Sequence, residues 1–355
     1  MDTWNHFLVE QGGRGRDGRI DDFGAALGVD QLRAGFVAPI GDLGLIAITG
    51  EDAASFLHNQ LTNDVEHLTV GEARLAGYCS PKGRLMATFL MWRSAEAIYL
   101  ELARDIQAPL QKRLQMFVMR AKAKLADATL DAANEVMLGI GGAKADAALK
   151  AWFEALPAKP YGVVQHPLGT LIRLADALGA PRYQWLMSAA DAQTVFPALA
   201  ATLNKGGNDA WHLAAVHAGV PQVTAATQER FVPQMINFEL LGGVNFKKGC
   251  YPGQEIVARS QYLGKLKRRM TLATLASLDA KAGDEVFLVS EPEQPCGMLV
   301  NVAPNGAGGV DALVEMKLAA IEQGQLEAGS VRLASAGGAP LRLLDMPYAL
   351  DPLEL

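Results

Sequence analysis

The chain has 355 residues, of which half are hydrophobic and a fifth are charged, and its formal net charge is −6. This length predicts two or three domains, and the composition is that of an ordinary globular protein with a buried core. The negative charge argues against a nucleic-acid binder as a whole, although a local basic patch could still act against that background.

The cysteines and the start of the chain indicate a reducing compartment. Cys79, Cys250 and Cys296 are odd in number and far apart, so they fit neither a disulfide framework nor a zinc-knuckle spacing. The first residues lack a basic region followed by an apolar stretch, and no run of about 18 uncharged apolar residues occurs. We therefore expect a soluble cytoplasmic protein without a membrane segment.

The first part of the chain predicts a mixed module of strands and helices. Residues 1–34 are rich in glycine and arginine and short of apolar anchors, so we expect a tail or loop. Apolar runs with β-branched residues predict strands over residues 43–49, 73–79, 84–92 and 97–102. Helical spacing of apolar residues predicts helices over residues 53–61 and 105–119.

A second module begins near residue 130. Strands are predicted over residues 135–140, 162–166, 170–174 and 183–187. Helices are predicted over residues 143–156, 191–203 and 209–218. This interleaving favours an α+β sandwich over a doubly wound sheet. Beyond residue 270 the helical period disappears, and a small β-barrel is predicted from short strands over residues 285–289, 298–302 and 310–316.

Two possible sites fail on spacing. The glycines at 139–142 lie between a strand and a helix, as in a dinucleotide-binding loop, but the third glycine and the following acid are missing. Close backbone packing explains these glycines better. His212 and His217 lie roughly 140° apart around one helix and cannot share a metal ion. We expect no metal site.

One segment, residues 245–269, differs from the rest of this acidic chain. It holds a single acid, Glu255, against seven cationic residues: Lys247, Lys248, Arg259, Lys265, Lys267, Arg268 and Arg269. Such a concentration of positive charge indicates either a binding site or a solvated face.

The same segment contains a thiol between two glycines. Gly249 and Gly253 bracket Cys250 and allow a tight loop, and Gly253 can begin a helix in which Glu255 lies within reach of Arg259. A thiol near two lysines and a helix N-terminus is expected to react as a thiolate. The alternative is a buried structural cysteine beside a solvated lysine pair.

The sequence of this loop resembles a known family. Residues 248–255 read KGCYPGQE and are similar to the K-G-C-Y-x-G-Q-E signature of the folate-binding YgfZ family, which belongs to the aminomethyltransferase (glycine-cleavage T-protein) superfamily. Similar segments run from about residue 43 to residue 269 and include residues 50–57, 60–65, 80–85, Trp211, 218–221, 231–234 and Asn237.

The resemblance implies a ring of three domains around a central cavity that binds tetrahydrofolate or a derivative. The expected fold class is α+β, with two ferredoxin-like modules and a C-terminal small β-barrel. The expected boundaries are a tail or loop at 1–34, a discontinuous first α+β domain at 35–130 plus 208–268, a second α+β domain at 131–207, and the barrel at 269–355.

The resemblance also implies a role in assembling or repairing iron–sulfur proteins, including enzymes that modify tRNA. The expected partners are iron–sulfur client proteins or assembly factors, without a membrane. Cys250 is expected to be the functional thiol, with Lys248 beside it. Trp211 matches a folate-pocket tryptophan of some members, whereas their second aromatic falls at Leu43. The residues expected to contact the folate are Trp211, Asn237, Tyr251, Gln254, Glu255 and Arg259.

One position speaks against aminomethyl transfer. Relatives that catalyse it carry an aspartate on the strand after the 80–83 turn, and that position falls at Ala87 here, with Thr88 beside it. Neither side chain can stabilise positive charge or relay a proton as a carboxylate would. The favoured hypothesis is therefore a folate-binding accessory protein without an established reaction.

Two alternatives remain. One is a folate-dependent one-carbon transferase that acts through Cys250. The other is an RNA-binding module that uses residues 265–269, which lack interleaved aromatic residues for base stacking. We do not expect direct nucleic-acid binding, and a solvated entry into a strand is the preferred interpretation of that run.

Overall fold

A computed structural model describes residues 3–16, 18–129, 135–263 and 266–350. Its helices are α1 (Thr3–Glu10), α2 (Val29–Ala34), α3 (Ala53–His58), α4 (Arg104–Val118), α5 (Ala145–Leu149), α6 (Ala189–Ala200), α7 (Asn208–His217), α8 (Gln254–Tyr262) and α9 (Leu318–Leu326). Its strands are β1 (Phe36–Ile40), β2 (Leu43–Thr49), β3 (Ala73–Cys79), β4 (Leu85–Arg93), β5 (Ile98–Ala103), β6 (Lys124–Asp127), β7 (Glu135–Gly141), β8 (Val163–His166), β9 (Gly169–Ala177), β10 (Ala180–Ser188), β11 (Asn204–Lys205), β12 (Arg268–Leu275), β13 (Glu285–Leu288), β14 (Glu291–Pro304), β15 (Val310–Lys317), β16 (Val331–Leu333) and β17 (Leu341–Leu344).

The first sheet has five strands in the order β3-β4-β5-β2-β6. Its strands are nearly continuous apolar runs, because both faces of the sheet are covered. On one face, α4 places Ile106, Leu110 and Leu114 against the sheet, at the spacing of a single helical stripe. The helices and strands expected between residues 43 and 119 are confirmed, although α3 ends three residues early.

The second sheet has six strands in the order β11-β1-β7-β10-β9-β8. Strand β1 pairs with β7 from Phe36↔Gly141 to Ile40↔Met137. Residues 36–40, which the boundary expected at residue 35 assigns to the first domain, therefore pair in the second sheet and not in the first. Every residue of β1 is buried, so this five-residue run (FVAPI) is stabilised inside the sheet, where it crosses from one module to the other.

The N-terminal segment contradicts the tail or loop expected at residues 1–34. Helix α1 buries Trp4 and Leu8, which lie one turn apart on the same face. The Trp4 ring lies 5.5 Å from Phe7 and 6.1 Å from Phe196 in α6. Helix α2 follows and buries Leu32. The helical spacing of the apolar residues in α1 was overlooked, because the stretch that follows this helix is rich in glycine and arginine.

The third sheet lies at the C-terminal end and has the order β16-β13-β14-β15-β12-β17, which forms a half barrel. Long strand β14 changes register on both sides, and α9 packs against β12, β15 and β17. The predicted all-β character of this module is thus confirmed, with one added helix.

The three sheets surround a central cavity, as the family resemblance implies. Helix α7 lies at the junction, where it packs against β1 of the second sheet and β14 of the third. Among the described residues, none of the helices is both long and apolar enough to cross a membrane.

Candidate functional site

The central cavity has a volume of about 760 Å³ including its open mouth. Residues of all three modules line it: Leu43, Leu75, Thr88, Phe89, Leu90, Glu101, Tyr161, Leu174, Arg182, Gln184, Trp211, His212, Ala215, Val216, Val220, Pro221, Gln222 and Asn301. Most of this lining is apolar, with a small set of convergent polar groups, which is the usual character of a site for a flat organic ligand.

Trp211 on α7 forms one wall of this cavity. Its ring packs on the backbone of β7, where a Cβ at Gly139 would lie 2.6 Å from one ring carbon. The guanidinium of Arg182 lies 4.9 Å from the ring centroid. The close-packing interpretation of the glycines at 139–142 is therefore confirmed. Because only 5% of Trp211 is exposed, these contacts hold the ring in one orientation at the cavity wall.

A buried polar cluster faces the same cavity and was missed in the sequence. The side-chain amide of Gln184 donates a hydrogen bond to the carboxyl of Glu101, while the buried Oε1 of Gln184 has no partner. Burial raises the pKa of Glu101 to about 7, against the opposing effects of Gln184 and Arg182. Burial also lowers the pKa of Arg182 to about 10. Such polar groups held in an apolar cavity are typical of a binding site.

Ala87, at the strand position where catalytic relatives carry an aspartate, does not line the central cavity. Ala87 is buried in the hydrophobic core between the first sheet and its helices, and Thr88 is the neighbour that lines the cavity. The hydroxyl of Thr88 accepts a hydrogen bond from the backbone N–H of Val223. The carboxyl in this cavity is therefore supplied by Glu101 on β5.

The cysteine loop lies on the first module and is held there by Lys248. The ammonium of Lys248 donates to the backbone carbonyls of His58, at 2.6 Å, and Leu61, at 3.0 Å. It also lies 4.9 Å from the ring centroid of Tyr251. Burial lowers the pKa of Lys248 to about 8, although Asp64, Cys250 and Glu66 act in the opposite direction. Lys248 therefore anchors the loop, and the Cys250 side chain beyond it is exposed.

Two glycines join the cysteine loop to the turn at residues 80–83. Gly253 has φ +79° and precedes α8, as predicted for the start of this helix. A Cβ on Gly253 would lie 2.7 Å from the backbone of Gly83, and a Cβ on Gly83 would lie 2.8 Å from Ile256. The two segments that resembled family motifs in the sequence are thus in direct contact, and only glycine permits this approach.

The other predicted site residues lie away from the central cavity. Tyr251 is buried beneath Lys248, whereas Glu255 and Arg259 are exposed on α8 and Gln254 is half-buried at its start. Asn237 is fully buried, and its amide bonds the backbone N–H and C=O of Met270. Of the eight predicted site residues, Trp211 is the one that lines the cavity.

A side cleft borders the central cavity. Leu75 and Tyr161 line both the central cavity and this cleft, whose other residues are Asn63, Asp64, Ala73, Arg74, Leu241, Gly242 and Asn245. Asp64 in turn lies 3.2 Å from the imidazole of His58, on which the cysteine loop rests. Cys250 lines neither the central cavity nor this cleft.

The basic run after α8 ends in two arginines that pair with acids. Arg268 binds the carboxylate of Glu315 in β15, and Arg269, which is 4% exposed, binds Glu239 and the backbone carbonyl of Gln234. Lys265 lies outside the described residues. The prediction of a solvated run is therefore wrong for Arg269, which is buried, whereas Lys267 is exposed and Arg268 is half-buried beside Glu315. In the described part of the chain, no group of three or more His, Cys, Asp or Glu side chains could hold a metal ion.

Comparisons with known proteins agree with this architecture. The family model of the GCVT N-terminal domain matches residues 36–166. The tRNA-modifying protein YgfZ of Escherichia coli (strain SMS-3-5 / SECEC) is 29% identical over 312 residues, which cover 87% of this chain and 92% of that protein. The crystal structure of glycine cleavage system aminomethyltransferase T from Bartonella henselae superimposes with a TM-score of 0.72 at 16% identity, covering 96% of both chains. The chain is thus similar to YgfZ over most of its length, matches the GCVT N-terminal domain over residues 36–166, and shares the fold of aminomethyltransferase T.

Proposed function

We propose that this protein binds a tetrahydrofolate-type ligand in the central cavity and acts as an accessory protein for iron–sulfur proteins, including enzymes that modify tRNA. The observation that carries the proposal is the cavity between the three modules, in which Trp211, Arg182 and the Glu101–Gln184 pair converge. The match to a relative named as a tRNA-modifying protein supports the tRNA context.

The polar groups of the cavity fit a pterin ring. Such a ring has N–H donors along one edge, and buried donors of this kind need acceptors. Glu101 and the unpartnered Oε1 of Gln184 are acceptors inside the cavity. Trp211 and Arg182 supply an aromatic and a cationic surface beside them. When bound, the folate would supply its one-carbon or redox chemistry, while these residues bind and orient it.

Cys250 is the residue that we assign to the accessory role. Its side chain is exposed, whereas the thiols of Cys79 and Cys296 are buried. An exposed thiol can reach a protein partner, which a residue inside the central cavity could not do. We expect client proteins or assembly factors to approach the face formed by the cysteine loop and α8.

A second candidate function is folate-dependent one-carbon transfer, and Glu101 is the observation that favours it. A carboxyl group with a pKa of about 7 can hold or release a proton near neutral pH. The RNA-binding alternative has lost its main support, because Arg268 and Arg269 are paired with buried acids.

Binding and turnover measurements on the purified protein test these functions. Titration with tetrahydrofolate should give saturable binding, which Gln184→Leu and Arg182→Met should weaken at least tenfold. Glu96→Gln, on an exposed hairpin, is the matched control and should bind normally. Product formation from a one-carbon folate, lost in Glu101→Gln, would favour the transferase. Absence of saturable binding in the wild-type protein would contradict both functions.

A further inference from the structure

One histidine in the wall of the central cavity has no role in the site described so far. His212 follows Trp211 on α7, and both residues line the cavity. The Nε2 atom of His212 lies 2.6 Å from Oδ2 of Asp42, which precedes β2. Asp42 is not part of the cavity lining, so the histidine is the member of this pair that a ligand in the cavity can meet.

The contact with Asp42 favours the charged form of His212. The other carboxylate oxygen of Asp42, Oδ1, is buried without a hydrogen-bond partner among the described residues. Burial acts to raise the pKa of Asp42, but the charges of His212 and Arg19 lower it overall. Burial acts to lower the pKa of His212, but the charges of Asp42 and Asp209 raise it overall. The pair is therefore an imidazolium beside a carboxylate near neutral pH.

The second nitrogen of His212 is available to a ligand. In the described part of the chain, Nδ1 has no hydrogen-bond partner, and it is not one of the buried polar atoms that lack a partner. The side chain of His212 is 29% exposed. In an imidazolium both ring nitrogens carry a proton. His212 thus offers a charged N–H donor, and an anionic acceptor gives the strongest hydrogen bond with such a donor.

His212 and the Glu101–Gln184 pair serve different parts of the cavity. Leu45 of β2 pairs with Glu101 of β5, and Asp42 precedes Leu45 by three residues. At about 3.3 Å per residue, Asp42 lies roughly 10 Å along the chain from that strand pair. A ligand whose polar head binds Glu101 and Gln184 therefore meets His212 with another part of the molecule.

We propose that His212, held by Asp42, binds a carboxylate of the glutamyl tail of the folate. This assignment rests on the proposed function and adds a second point of recognition to the pterin contacts. A folate carries its carboxylates at the end of the molecule remote from the pterin, and they are ionised at neutral pH. His212 thereby distinguishes a folate from a free pterin. The sequence suggested only a metal ligand here, because Asp42 is 170 positions away.

Calorimetric titration with tetrahydrofolate and with its dimethyl ester measures this contact, because the diester keeps the pterin and the length of the ligand but has no tail charge. At pH 7 the wild-type protein should bind the diester about tenfold more weakly than the free acid. His212→Gln should bind the two ligands with nearly equal affinity. His217→Gln is the matched control and should keep the wild-type ratio, because it removes a histidine–aspartate pair of the same helix outside the cavity.

The possible outcomes separate this assignment from the proposed function. Equal affinity of the wild-type protein for the free acid and the diester would overturn the role of His212 and leave folate binding intact. The same ratio in wild type and His212→Gln would do so as well. Absence of saturable binding of either ligand would instead contradict the proposed function, and this assignment with it.

A second measurement uses only the wild-type protein, so it does not depend on the stability of a variant. Between pH 7 and pH 9 the preference for the free acid should decrease, because His212 loses its charge while the tail keeps its own. Burial raises the pKa of Asp209, one turn earlier on α7, to about 6, so it is already ionised in this range. Asp42 and Arg19 keep their charges throughout. A constant preference from pH 7 to pH 9 would overturn the proposal.

Discussion

Replacement of Glu101 by glutamine should stabilise the protein at alkaline pH. The reason is that burial in the central cavity makes ionisation of this carboxyl unfavourable in the folded state. Burial raises the pKa of Glu101 from its ordinary value of 4.5 to about 7. The folded state therefore holds a proton more tightly than the unfolded state, and stability falls as the pH rises from 4.5 to 7. At about 1.4 kcal/mol per pH unit, the loss reaches about 3 kcal/mol above pH 7. Glutamine cannot ionise, so Glu101→Gln should not suffer it.

Urea unfolding of wild type and Glu101→Gln at pH 4.5 and pH 8 measures this difference. Relative to wild type, the variant should gain about 3 kcal/mol of unfolding free energy between the two pH values. Glu96→Gln on the exposed hairpin controls for removal of a carboxyl and should show no such gain. A pH-independent difference between Glu101→Gln and wild type would refute the burial argument. A stable variant that no longer binds folate would indicate that the cavity retains this carboxyl for its ligand.

Three further substitutions test the packing on which the site depends. Gly253→Ala should lower the free energy of unfolding by about 2 kcal/mol or more. Its left-handed backbone conformation disfavours a residue with a Cβ, and the backbone of Ser80 leaves no room for that atom. Wild-type thermal stability of this variant would contradict the prediction. Arg269→Met leaves Glu239 buried without its partner and should cost about 3–5 kcal/mol in urea unfolding, whereas a neutral result would indicate a solvated arginine. Trp211→Ala should weaken tetrahydrofolate binding in calorimetry as well as lower stability, and unchanged affinity would restrict Trp211 to packing.

Local patterns predicted most of the secondary structure and the cysteine loop. Strand β2 was predicted to the residue, and the glycines around Cys250 correctly indicated a tight turn followed by a helix. These features depend on neighbouring residues alone, through periodicity and backbone preference. Trp211 was predicted because its flanking residues resembled the family's sequence, and it lies in the cavity.

Contacts between distant segments could not be predicted in this way. Glu101 and Gln184 are 83 residues apart, and each lies in a strand that reads as apolar core. Arg269 looked like part of a solvated basic run, because nothing in its neighbourhood indicates that Glu239 lies beneath it. Residues 36–40 have the composition of a core strand, but the sheet in which that strand pairs is decided by the whole fold.

The measurement that tests the central claim most directly is the activity of iron–sulfur enzymes in cells that lack their own copy of this protein. Cells are supplied either with the wild-type chain or with Cys250→Ser, at matched protein levels. Because the Cys250 side chain is exposed, the substitution should leave the fold and folate binding intact. We expect the iron–sulfur enzymes, including those that modify tRNA, to regain activity only with the wild-type chain. Full recovery with Cys250→Ser would contradict a functional role for this thiol.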